Sequence, residues 1–284
     1  MSAARRDAGL LVLLLLALAG VMAVWVGIDR RPPEWDHANH LERALECHRI
    51  LAEPGHARYA EIVAMSSFYP PLVLCAAGLS YFVLPIAPVT AQLVMWAFLV
   101  AGTLAVWGVG RRLLDPAAGL LAAFLFATAP FVVFSLLRFQ LDLPLAAMVA
   151  VALLVILLTE GFTRVGWSLV AGIVFGVGML TKPPFAAYVL VPVLLAVASS
   201  YRRRRAAGYA ALAILVGAAL SVPWYGPRLF GLLPQIANRS FKPSKDVSGS
   251  LELSNTFAAR LQESGSRSKA SSVGWQLKNS SRKW

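Results

Sequence analysis

Leu10 to Ile28 is an unbroken apolar run, and six more follow at approximately 90 to 110, 117 to 137, 143 to 159, 166 to 181, 184 to 200 and 207 to 223. A helix rises about 1.5 Å per residue and a hydrocarbon core is about 30 Å thick, so runs approaching 20 residues have the length of membrane spans. In lipid the backbone must satisfy its own hydrogen bonds, and a helix does so within one segment. The expected fold is all-α: a polytopic membrane protein of about seven transmembrane helices, with interfacial helices in the first loop. With 58% hydrophobic and 14% charged residues, the chain is far from a soluble domain.

The net charge of +12 would suit nucleic acid, but ten of the 26 basic residues lie at or beyond Arg228 and four more form the run Arg202 to Arg205. That distribution fits loops at an anionic lipid surface, so membrane lipids are expected as partners and nucleic acid is not. Cys47 and Cys75 have neither CxxC nor metal-ligand spacing. The sequence therefore argues against a disulfide framework or a zinc cluster, and gives these cysteines no role.

Leu10 to Ile28 is too long for a signal-peptide core and has no small-x-small cleavage site before Asp29, so it reads as an uncleaved anchor. The loop after it, residues 29–69, holds all four histidines and half of the acidic residues. Within it Leu41, Ala44, Leu45, His48 and Leu51 recur at helical spacing, with Glu42, Arg43, Glu46 and Arg49 on the other face. This is an amphipathic helix for the interface, ended by Pro54-Gly55. Pro70 to Leu84 is apolar but only about 15 residues long, marginal for a crossing. If it does not cross and the amino terminus is cytoplasmic, Arg5-Arg6, Arg111-Arg112, Arg164 and Arg202 to Arg205 all fall inside, as positively charged loops prefer. The loops carrying Asp36, Asp142 and Lys182 then fall outside. The competing topology, with an external amino terminus and a crossing Pro70 to Leu84, keeps the later arginines inside but reverses the long loop. Gly172 and Gly176 form a G-x-x-x-G packing signal. The transmembrane domain is placed at 1–239, and the polar stretch 240–284 is expected to be disordered.

Ionisable groups beside apolar helices are costly, so where they persist they tend to serve a site or pair with each other. Asp36 has the chemistry of a general base or a metal-holding carboxylate, and the position of a helix N-cap. Asp36, His37 and His40 span one helical turn and could hold a divalent metal ion, or simply be polar surface. Arg138 and Asp142 are four apart, which suits a salt bridge across a hairpin. Alternatively the arginine binds a phosphate and the aspartate supports the catalytic end. Lys182 either snorkels to the interface or neutralises a phosphate leaving group.

The order of these elements resembles the GT-C class of membrane glycosyltransferases, in the group that includes protein O-mannosyltransferases and lipid A aminoarabinose transferases. The resemblance rests on Trp35-Asp36 with its interfacial helix, Phe68-Tyr69-Pro70-Pro71-Leu72, Gly110-Arg111-Arg112-Leu113, Arg138 to Pro144, and Gly178 to Lys182, over roughly residues 9 to 225. It implies catalytic roles for Asp36 and Asp142 and a place near the donor phosphate for Lys182, with a polyprenyl-phosphate-linked sugar as donor. The acceptor would be a lipid, glycan or protein at the external, periplasmic-type face of the membrane. His37 stands where many members have a second acidic residue, and this chain loses its membrane character after about Pro227, as a shortened member would. Two other classes fit the same span pattern: a transporter or flippase for a lipid-linked substrate, and a catalytically silent scaffold. The charges cluster at helix ends without an internal repeat, which speaks against the transporter.

Overall fold

The computed structural model describes residues 3–29, 31–33, 35–55, 58–65, 68–199 and 204–228. The stretch 240–284 and part of the Arg202 to Arg205 run lie outside the described residues. Among the described residues every regular element is helical: α1 (Ala3–Ile28), α2 (Trp35–Ala52), α3 (Arg58–Met65), α4 (Leu72–Ser80), α5 (Pro88–Leu113), α6 (Pro116–Thr128), α7 (Pro130–Leu137), α8 (Asp142–Leu158), α9 (Val165–Met179), α10 (Phe185–Ala198) and α11 (Arg204–Tyr225), then a single 3₁₀ turn (Gly226–Arg228). The all-α membrane architecture expected from the sequence is present.

The helix boundaries follow from a few residues. Pro88 starts α5 at a position where its missing N–H costs nothing. Asp115 caps α6, its carboxylate accepting from the backbone N–H groups of Ala117 at 2.8 Å and Ala118 at 2.9 Å. The single span expected at 117 to 137 is instead two helices bent by 51°. Ala129 precedes Pro130, and the proline ring excludes the helical conformation there, leaving Ala129 at ψ 131°.

Among the described residues three helical stretches are long and apolar enough to cross a membrane, Arg6–Ile28, Pro88–Leu113 and Arg204–Arg228, and the bent pair α6–α7 makes a fourth if taken as one span. The runs expected as further spans form the shorter apolar helices α8, α9 and α10, of 17, 15 and 14 residues. α4 is nine residues, about 13.5 Å long, and so too short to cross. Leu13, Leu16 and Val24 on α1, and Val191 and Leu195 on α10, are each at least 60% exposed, as lipid-facing side chains would be.

α9 and α11 pack through the glycine pattern. A Cβ on Gly172 would lie 2.7 Å from the Ala213 carbonyl oxygen, and one on Gly176 2.6 Å from Leu220 Cβ. Only glycine permits this approach.

The loop after α1 is folded onto the bundle. On α2, Leu41, Ala44 and Leu45 are buried as the apolar face predicts, and Leu41 and Ala44 join Val73 and Leu74 of α4, Met95 and Leu99 of α5, and Phe139 in one core. Cys47 and Cys75 form a disulfide between α2 and α4, which corrects the sequence reading. Spacing gave no hint of it because the two cysteines are 28 positions apart and meet only once α2 and α4 lie side by side.

The two ends of the bundle are held by different contacts. At one end Tyr59 of α3 donates to the Pro223 carbonyl at 2.6 Å, and Tyr225 donates to the Met179 carbonyl at 2.8 Å. These contacts bring the loop, the end of α9 and the end of α11 together. The opposite end holds the α8–α9 turn, where Glu160 pairs with Arg164 at 2.8 Å and Arg112 at 3.6 Å.

Candidate active site

At the loop-bearing end, α2 lies against the turn between α7 and α8, and the start of α8 is joined to the turn between α9 and α10. His40 Nδ1 is 3.1 Å from the Phe139 carbonyl oxygen, and the His40 ring meets the rings of Tyr69 and Phe139 edge to face. Beyond Phe139, Asp142 opens α8, and Lys182 from the next turn donates to its carboxylate at 2.5 Å. The Lys182 side chain is 18% exposed and that of Asp142 36%. Lys182 owes its place to a tight turn in which the Thr181 hydroxyl donates to the Gly178 carbonyl at 2.6 Å and Phe185 is wholly buried.

Three segments separated by about a hundred and forty residues therefore meet, as the sequence led us to expect. The Arg138–Asp142 salt bridge offered by their spacing does not form, because Asp142 is taken by Lys182. Arg138 turns the other way, its guanidinium 4.8 Å from the Phe134 ring centre. Asp36 lies in the first turn of α2, where the helix dipole favours a carboxylate. It is partly exposed and makes no hydrogen bond or ion pair among the described residues. Its neighbour Trp35 holds φ at 46°, a left-handed conformation that a bulky residue adopts only at a cost of about 1–3 kcal/mol.

The candidate residues divide into two groups around the two histidines of α2. Burial pushes the His40 pKa down, while the Asp36 and Asp142 carboxylates oppose that shift and Lys182 adds to it. His37 instead feels Arg138 and Asp29. Burial, reinforced by the Arg138 charge, lowers its pKa to about 4, so it is neutral at physiological pH. His37 and Arg138 line a cavity of about 240 Å³ together with Asp29, Gln92 and Leu137. At its mouth the Arg31 guanidinium donates to Asp29 at 2.8 Å and holds that carboxyl down to about 2.

Gln92 and Asp29 were not singled out from the sequence. Gln92 carried a usable signal: it is a polar amide near the start of an otherwise apolar span, which is rarely without purpose. Asp29 looked like the boundary of the first run and no more.

The metal reading of Asp36, His37 and His40 does not match the donor set. Among the described residues no group of three histidine, cysteine, aspartate or glutamate side chains is placed to hold one ion.

The model of the dolichyl-phosphate-mannose-protein mannosyltransferase family matches residues 69–226. No curated protein matches the chain. The matched segment, more than half of the chain, contains Arg138, Asp142 and Lys182 and begins after Asp36, His37 and His40. With its apolar helices and this match, the chain belongs to the dolichyl-phosphate-mannose-protein mannosyltransferase family, membrane glycosyltransferases of the mannosyltransferase type.

Proposed function

We propose that the chain transfers a sugar from a polyprenyl-phosphate-linked donor to a hydroxyl of a lipid, glycan or protein acceptor at the external face of the membrane. The acceptor oxygen attacks the anomeric carbon and its proton passes to the Asp36 carboxylate. The bond from that carbon to the phosphate oxygen breaks, and the polyprenyl phosphate leaves with the electron pair. Arg138 holds the donor phosphate from the cavity side. Lys182, oriented by Asp142, places a second positive charge where negative charge grows on the leaving group, which counts for more in a site shielded from water. The single observation that carries this reading is the Lys182–Asp142 pair set beside the helix bearing an unpaired Asp36.

External placement is supported by two features, one in the loop and one at the opposite end of the bundle. The Cys47–Cys75 disulfide is a bond that persists in oxidising compartments outside the cytosol. Arg112 of α5 and Arg164 of the α8–α9 turn lie at the other end of the bundle, as basic residues of cytoplasmic loops do.

The test is transfer from a radiolabelled polyprenyl-phosphate sugar in membranes, comparing the wild-type chain with Asp36→Asn at equal expression. Transfer by the wild type and its loss in the variant support the reading. Equal transfer by both removes Asp36 from the mechanism, and no transfer by either favours a scaffold or transporter.

A further inference from the structure

The cavity beside His37 contains groups that the transfer chemistry leaves unused. Gln92 is 6% exposed, and its Nε2 donates to the Leu137 carbonyl at 2.8 Å. A carbonyl only accepts, so this bond fixes the amide orientation and leaves Oε1 as an acceptor; that oxygen is buried with no partner. His37 is 8% exposed, and its Nε2 is likewise buried without a partner. Burying an unsatisfied polar atom is costly, and two at the wall of one cavity mark a place where something else supplies the partners. The third group is the Arg138 guanidinium, which has no carboxylate partner among the described residues and presents a fork suited to phosphate.

Together these groups specify a ligand. The guanidinium asks for an anion, the amide oxygen for a hydroxyl donor, and the imidazole for a hydroxyl in either role. A sugar joined to a phosphate carries all of these within one small head group. The remaining wall is the Arg31–Asp29 ion pair and apolar side chains, among them Trp25, Val26, Val89 and Leu137. At about 240 Å³ the cavity is smaller than the roughly 300–1,000 Å³ of sites for drug-sized ligands, so it admits a head group and leaves the polyprenyl chain outside.

We propose that Gln92 and His37 read the hydroxyls of the donor sugar in this cavity and so set which sugar the chain accepts. This rests on the reading above that Arg138 holds the donor phosphate.

The experiment is a calorimetric titration of the purified full chain in detergent with short-chain polyprenyl phosphate, bare or carrying mannose, glucose or a pentose. For the wild type at least one glycosylated form binds about fivefold or more tightly than the bare phosphate, as expected for one or two added hydrogen bonds. In Gln92→Ala that preference falls to about one while affinity for the bare phosphate is unchanged, and His37→Asn, which keeps a polar group of smaller reach, reduces it partially. Arg138→Gln weakens every ligand alike. If no sugar in the panel gains over the bare phosphate, or if Gln92→Ala and His37→Asn both keep the wild-type preference, the inference is overturned and the transfer reading stands. If Arg138→Gln leaves bare phosphate binding untouched, it is the phosphate reading itself that fails.

Discussion

His37 and His40 sit one turn apart on the same helix, both buried, yet they face different surroundings. On the α8 side of His40 the charges are matched: Lys182 donates to Asp142, and His40 Nδ1–H donates to the Phe139 carbonyl, although its Nε2 is buried without a partner. Around His37 they are not: Arg138 lacks a carboxylate, and His37 and Gln92 each keep a buried polar atom without a partner. A lysine held by its aspartate keeps its place when the site is empty, which is what a positioned counter-charge requires. A cavity walled by a cation and two unmet polar groups is completed by what binds there. The difference assigns chemistry to the His40 side and recognition to the His37 side.

The largest effect should come from Asp36→Asn. Losing a positioned general base lowers the rate by about 10²–10⁴-fold. Because Asp36 does not line the cavity, donor binding measured by titration should stay within twofold of wild type, about the scatter expected for a remote change. A comparable loss of binding would merge the two regions into one.

Next comes the ion pair. Lys182→Met should lower turnover by about 10²–10³-fold, the usual cost of one charge-stabilising donor. With Asp142→Asn the losses should be clearly non-additive, by about 0.5–3 kcal/mol in a double-mutant cycle. Additive losses would mean that the two side chains act separately despite their 2.5 Å contact.

Removing the disulfide with Cys47→Ser and Cys75→Ser should lower stability by about 2–4 kcal/mol, read as a lower melting temperature that reductant no longer changes. Since the bond ties α2 to α4, it should disturb both regions in proportion. A variant that damages only one would show that the two do not share a common support.

The effect least felt at physiological pH is on pH dependence, because it develops only below about pH 6.5. His37 has a folded pKa of about 4 against an ordinary value of 6.5. Between those values the unfolded chain takes up a proton that the folded chain refuses. This contribution to stability is therefore complete above about pH 6.5 and is lost as pH falls towards 4, at about 1.4 kcal/mol per unit of difference. Burial is the largest cause of the shift, Arg138 and His40 add to it, and Asp29 opposes it. In His37→Gln the melting temperature should vary less with pH over that range.

Much of the fold was written in patterns that act locally. Apolar runs, the amphipathic spacing of Leu41 to Leu51, and the Gly172–Gly176 pair gave the helices and their closest packing, because each depends on neighbours within a turn or two. The convergence of the Asp36, Asp142 and Lys182 segments was also legible, since costly charges at helix ends had few other reasons to persist. The partners were less so. Arg138 and Asp142 have the spacing of a salt bridge, but a lysine forty positions away reaches the aspartate first. The cysteines, the α6–α7 bend and the Gln92 cavity arise from how helices lie against one another or from a single proline, and no periodicity records that.

The division of labour is tested most directly by steady-state kinetics with a polyprenyl-phosphate sugar donor, measuring kcat and donor KM for Asp36→Asn and Arg138→Gln side by side. The account predicts that Asp36→Asn lowers kcat and leaves KM near its wild-type value, while Arg138→Gln chiefly raises KM. If both substitutions move the same constant by the same factor, the two sides of α2 do not have separate roles and the account is wrong.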